Sequence, residues 1–78
     1  MTTHHPLVRA IENSPGWEYR TVAELYPDTP LLDPRDGEYV TTDDPLYDDA
    51  GNLRVIDLHG DLRIWEEPTD QIFLAYLG

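Results

Sequence analysis

Seven prolines, at positions 6, 15, 27, 30, 34, 45 and 68, set how far any regular element in this chain can run. Proline has no N–H to give, and its ring clashes with the preceding helical turn, so it starts an element or ends one. Pro6 suits a first turn, where the missing donor has no partner anyway. His5 to Asn13 therefore reads as a short helix with Leu7, Ala10 and Ile11 on one face, stopped by Ser14-Pro15-Gly16. Thr21-Val22-Ala23-Glu24 has capping-box spacing and opens a second helix of about two turns through Leu25 and Tyr26, closed by Pro27. Between the two helices, Trp17 to Arg20 is extended and buries Trp17 and Tyr19.

From residue 27 to 51, Pro27, Pro30, Pro34 and Pro45 break regular structure and acids crowd in, so this stretch reads as an ordered acidic loop. Leu31, Leu32, Val40 and Leu46 recur often enough to pin it to a core, and Glu38 to Thr42 has the character of a short strand.

The last third carries the plainest pattern. Leu53–Leu58 and Leu62–Glu67 flank His59-Gly60-Asp61, which marks a β-hairpin. Cross-strand pairing favours Leu58 opposite Leu62, Ile56 opposite Ile64 and Arg54 opposite Glu66, with Asp57 meeting Arg63 and Val55 meeting Trp65. This places Ile56, Leu58, Leu62 and Ile64 on one buried face. Glycine at the third position of a three-residue turn argues for another register, in which Asp57 faces Asp61. After Pro68, Gln71 to Leu77 is apolar on both faces and belongs in the middle of a sheet or under another subunit. The elements add up to one α+β domain over residues 1–78, with the acidic loop at 27–51 inside it. Two short N-terminal helices pack on a small antiparallel sheet of three to four strands, with a C-terminal hairpin and a final strand.

One local pattern resembles a known repeat. Tyr47-Asp48-Asp49-Ala50-Gly51-Asn52-Leu53, followed by Asp57 and Gly60, is similar to a single unit of the YD repeats of Rhs-type shell proteins. The resemblance implies strand–turn–strand here, and no function is carried across.

Charge narrows the function classes. Sixteen acids face five arginines, with no lysine, for a formal net charge of −11. Five scattered arginines build no basic patch, so direct binding to nucleic acid or an anionic membrane is disfavoured. A basic protein surface is the complement. The absence of cysteine removes thiol nucleophiles and zinc–thiolate sites and suits a reducing cytoplasm. No run has the length of a membrane helix, and the first residues lack a secretory pattern.

Chemistry finds little purchase. The only serine, Ser14, lies in a helix stop, and the paired acids Asp43/Asp44, Asp48/Asp49 and Glu66/Glu67 point to opposite faces if extended. Asp33 to Glu38 and Asp48 to Asn52 miss the ligand order of a calcium loop, and His4, His5 and His59 lack zinc spacing. No catalytic residue, metal or cofactor is expected. Two helices and a hairpin follow the order of a winged-helix domain, but prolines occupy the place of the groove-reading helix.

The expected function is therefore a binding protein that inhibits or regulates a nucleic-acid-handling protein by occupying its basic surface as a nucleic-acid mimic. In size and charge the chain resembles the small acidic inhibitors of phages and mobile elements, including anti-CRISPR and antirestriction proteins. Eight of the sixteen acids fall between Asp28 and Asp49. Asp33, Asp36, Glu38, Asp43, Asp44, Asp48 and Asp49 supply the charge, and Tyr39 and Tyr47, with Trp65, the anchors. The chain itself is a monomer or homodimer in the cytoplasm, a host's if phage-encoded. The alternative is a structural or assembly domain whose acidity reflects a halophilic or GC-rich composition.

Overall fold

The two expected helices shrink, and the acidic stretch that follows them is mostly sheet. The computed structural model describes residues 5–78. It contains one short helix, α1 (Pro6–Ile11), a one-turn 3₁₀ helix (Val22–Glu24) and six strands. The strands are β1 (Trp17–Thr21), β2 (Pro30–Leu32), β3 (Tyr39–Tyr47), β4 (Leu53–Ile56), β5 (Leu62–Trp65) and β6 (Ile72–Tyr76). They form one antiparallel sheet in the order β1-β6-β2-β3-β4-β5, which replaces the expected pair of helices on three or four strands.

The second helix fails for a local reason. The Thr21/Glu24 capping box forms, but Leu25 is already extended at φ −84°, ψ 159°. Pro27 disfavours the helical region for Tyr26, so a first turn has nowhere to propagate. The first helix forms but rolls. The His5 N–H donates to the Pro34 carbonyl (3.1 Å) and the Leu7 N–H to His5 Nδ1 (3.1 Å), which ties the helix start to the turn after β2. In that orientation Val8 is buried, whereas Leu7 and Ala10 are exposed and Ile11 is half-buried.

Residues 27–51 had been expected to form a loop because proline was counted as a breaker throughout. Pro30 is the first residue of β2, a position that sheets tolerate. Pro45 sits in β3 beyond Thr42, where the ladder to β4 shifts register, and the Asp44–Pro45 peptide is cis. The anchors Leu31, Leu32, Val40 and Leu46 are all buried. So is Thr42, whose Oγ1 accepts the Thr29 N–H (2.8 Å) and donates to the Tyr26 carbonyl (2.7 Å). Thr42→Val keeps the volume but orphans the Thr29 N–H, and is expected to cost about 1–3 kcal/mol in urea denaturation.

The hairpin takes the register that glycine prefers. Arg54 faces Ile64, Val55 faces Arg63 and Ile56 faces Leu62. The turn closes with Asp57 N–H to the Asp61 carbonyl (3.0 Å) and Gly60 N–H to the Asp57 carbonyl (3.0 Å), Gly60 lying at φ 85°. Pairing Asp57 with Asp61 carries no clash, because the Asp57 carboxylate accepts the N–H groups of His59 (2.9 Å) and Asp61 (3.0 Å). The inside and outside of the hairpin are also inverted. Leu53 and Val55 are buried with Trp65 packed against them, while Leu58, Leu62 and Ile64 face outward.

The sheet curls around one main core of Val22, Leu25, Leu31, Val40, Leu46, Leu53, Val55, Phe73 and Ala75. Trp65 on the edge strand β5 stacks on Phe73 of β6 at 5.6 Å and 22°, although three strands separate β5 from β6 in the sheet order. The other face of β6 and β2 carries Leu74 and Leu32, covered by Val8 of α1 and flanked by Ile11, Trp17 and Tyr39. β6 thus buries Phe73, Leu74 and Ala75 completely, in the interior position that its two apolar faces require. The helix covers only one half of the outer face, and the β4–β5 half is left without cover.

Candidate functional site

The acids expected to form one binding face are divided among separate local tasks. Asp33 is buried and receives Arg35 on both carboxylate oxygens, Nε to Oδ1 at 3.0 Å and Nη2 to Oδ2 at 2.8 Å. Glu67 takes the same guanidinium at 2.9 Å, and the group lies 5.8 Å from the centre of the Phe73 ring. The two carboxylates hold the Arg35 pKa above its ordinary value. Asp43 pairs with Arg54 at 3.0 Å, and Glu38 pairs with Arg63. The Asp36 carboxylate accepts the Glu38 N–H (2.9 Å), while Asp48 accepts those of Ala50 (3.0 Å) and Asn52 (2.8 Å), so both shape turns. Only Asp44 and Asp49 of the group are exposed with no ion pair or hydrogen bond from the side chain among the described residues.

The aromatic anchors are likewise engaged. Tyr39 is half-buried beside Trp17 (6.4 Å, edge-on), and Trp17 packs on Tyr76 (5.3 Å). The Tyr47 hydroxyl donates to the Val22 carbonyl (2.7 Å), which clips the end of β3 to the 3₁₀ turn. Trp65 belongs to the core. An open cleft lies between Tyr26, Asp28, Thr29, Pro30, Tyr76 and Leu77. Among the described residues no group of three or more histidines and acids converges to hold a metal, and every buried side-chain N or O has a partner.

What the arrangement does is set acids of the same chain against its positive charges. Arg20 pairs with Glu18 (3.3 Å), Arg35 with Asp33 and Glu67, Arg54 with Asp43, and Arg63 with Glu38. Among the described residues, four of the five arginines are thus paired with acids of the same chain. The outward acids Asp28, Asp36, Asp44, Asp49, Asp61 and Glu66 are left without a basic neighbour among these pairs.

Sequence reasoning missed the surface that this fold leaves bare. Leu58, Leu62 and Ile64 are 76%, 48% and 44% exposed, beside the uncovered edge of β5. The signal was present in the hairpin: the glycine position in the turn sets the register that goes with this outward face.

Two carboxylates couple stability to pH. Bonds from the Thr21 N–H and hydroxyl hold the Glu24 pKa below its ordinary value, and the Asp61 and His59 N–H groups do the same for Asp57. A pKa lowered by folding contributes stability that is present above the unfolded value and lost as pH falls through the folded one. The melting temperature should therefore fall on acidification, and Glu24→Gln and Asp57→Asn should each flatten that fall in parallel thermal melts. Tyr19, expected to be buried, is 40% exposed, and its hydroxyl is pushed up to about 12 by partial desolvation and by its bond to Glu12.

No helix among the described residues is long and apolar enough to cross a membrane. Comparison with protein-family models, curated proteins and solved structures finds no match to this chain.

Proposed function

We propose that this chain is a small acidic binding protein that inhibits or regulates a nucleic-acid-handling protein by occupying its basic surface. The observation that carries the reading is the internal pairing of Arg20, Arg35, Arg54 and Arg63. Unpaired arginines would interrupt the negative potential of a chain with a net charge of −11. Paired to acids of their own chain, they leave the outward field to the remaining carboxylates, and such a field speeds encounter with a basic partner. The absence of cysteine supports action in a reducing compartment such as the cytoplasm.

A second reading is a structural or assembly domain whose acids serve solvation. It is favoured by the spread of the exposed acids, since Asp28, Asp36, Asp49, Asp61 and Asp70 lie in five different connections between strands. Competition separates the two. The immobilised chain is loaded with nucleic-acid-binding proteins at low salt and challenged with duplex DNA, RNA or a neutral polymer. Release by nucleic acid alone is the outcome expected of a mimic. Absence of capture, or retention of the partner in excess nucleic acid, favours the solvation reading.

A further inference from the structure

We infer that the open edge of β5 takes an extended basic segment of the partner protein as an added strand. The inference rests on the proposed function and gives it a surface. Apolar side chains of the segment would lie beside Leu62 and Ile64, and basic ones towards Asp61 and Glu66 at the two ends of β5.

In an antiparallel pair, residues that exchange both hydrogen bonds alternate with residues whose N–H and C=O point away. Asp57 and Asp61 are joined by the Asp57 N–H bond, so Arg63 and Trp65, two and four residues on, also bond towards β4. The N–H and C=O groups of Leu62 and Ile64 then point to the open edge, because β5 is the last strand in the sheet. These are the residues whose side chains stand exposed on the uncovered outer face.

Natural edges are blunted by lysine, proline, bulges or charged side chains. The other edge strand, β1, carries the Glu18–Arg20 ion pair. β5 has no lysine, no proline and no register break against β4, and its one charged residue, Arg63, alternates to the face opposite Leu62 and Ile64, where it pairs with Glu38. An extended segment is the occupant whose backbone answers outward N–H and C=O groups at alternate residues.

Charge decides what kind of segment. Asp61 precedes β5, Glu66 follows it and both are exposed, while the nearby Arg63 is taken up by Glu38. A second copy of this chain would bring a further −11 to the same edge, which charge repulsion opposes. A basic segment of another protein is attracted.

The test uses the full chain and a synthetic peptide with two valines at alternate positions and arginines at both ends. A control peptide has the same composition but a backbone N-methylated on its bonding edge. We expect the first to bind and to slow hydrogen exchange at the Leu62 and Ile64 amides, and the control to bind about ten-fold or more weaker. Ile64→Pro removes one outward N–H without touching the β4–β5 ladder, and should weaken binding by a similar factor of about ten. Leu62→Thr/Ile64→Thr, which puts strand-compatible but polar residues on the exposed face, should weaken it as well and serves if the proline variant does not fold. Equal binding of both peptides, or undiminished binding by both variants, overturns the edge inference and leaves the acidic-surface reading intact. Failure of both peptides to bind even at low salt removes both readings. Self-association of the free chain with protected Leu62 and Ile64 amides would assign the edge to a second copy and overturn the inference.

Discussion

Phe73→Ala is expected to destabilise the protein by about 3–5 kcal/mol, much of what a domain of this size possesses. Phe73 has no exposed surface, stacks on Trp65 across the curled sheet and lies beneath the Arg35 guanidinium. Its removal opens a cavity at the place where the two ends of the sheet meet. Ile64→Ala is the informative contrast. The expectation from cross-strand pairing buries Ile64 and makes its loss as costly, but the side chain is 44% exposed on the outer face. It should cost less than about 1 kcal/mol, as surface substitutions usually do. Urea denaturation of both variants decides the point, and similar losses would mean that the hairpin faces inward with its other side.

The association rate with a basic partner should fall by about 10- to 1,000-fold from low salt to several times physiological salt, because steering by a net charge is screened. Dissociation should change far less. Asp44→Asn/Asp49→Asn removes two outward charges that do no structural work among the described residues, and should slow association without altering the melt. Asp33→Asn should act in the opposite way. It weakens a buried clamp on Arg35 and lowers stability, with little effect on association at temperatures where the chain remains folded. Stopped-flow or surface-capture kinetics over a salt series reads all three proteins. A rate indifferent to salt removes charge complementarity as the driving force.

How much of this was legible in the sequence varies by element. The strand content of the last third was, because alternation around a glycine-containing turn has few other readings. So was the interior place of Ile72 to Tyr76, since a strand apolar on both faces has nowhere else to go. The pinning residues Leu31, Leu32, Val40 and Leu46 were also visible, but the sheet they belong to was hidden by prolines at a strand start and beside a register shift. The second helix was over-read because a capping box specifies how a turn begins and says nothing about its length. In the hairpin, two ion pairs and two apolar pairs argue against the register that one glycine prefers. The fold weighs them differently, because a positive φ is a steric demand at one residue, whereas surface pairs contribute about 0–1 kcal/mol each and re-form elsewhere. Closeness in sequence does not show which partner each acid takes: Asp33, Glu38 and Asp43 each meet an arginine in the fold. Only Arg35 lay close enough in the chain to suggest this.

Native-state hydrogen exchange on the isolated protein measures directly which way β5 faces and which of its backbone groups are free. The amides of Phe73, Leu74 and Ala75 should exchange slowest, being buried between β1 and β2. Along β5 the rates should alternate, with Arg63 and Trp65 protected by their bonds to β4 and Leu62 and Ile64 exchanging freely at the open edge. Protection of Leu62 and Ile64 in the monomer, with Arg63 and Trp65 exchanging freely, would contradict both the register and the surface built on it.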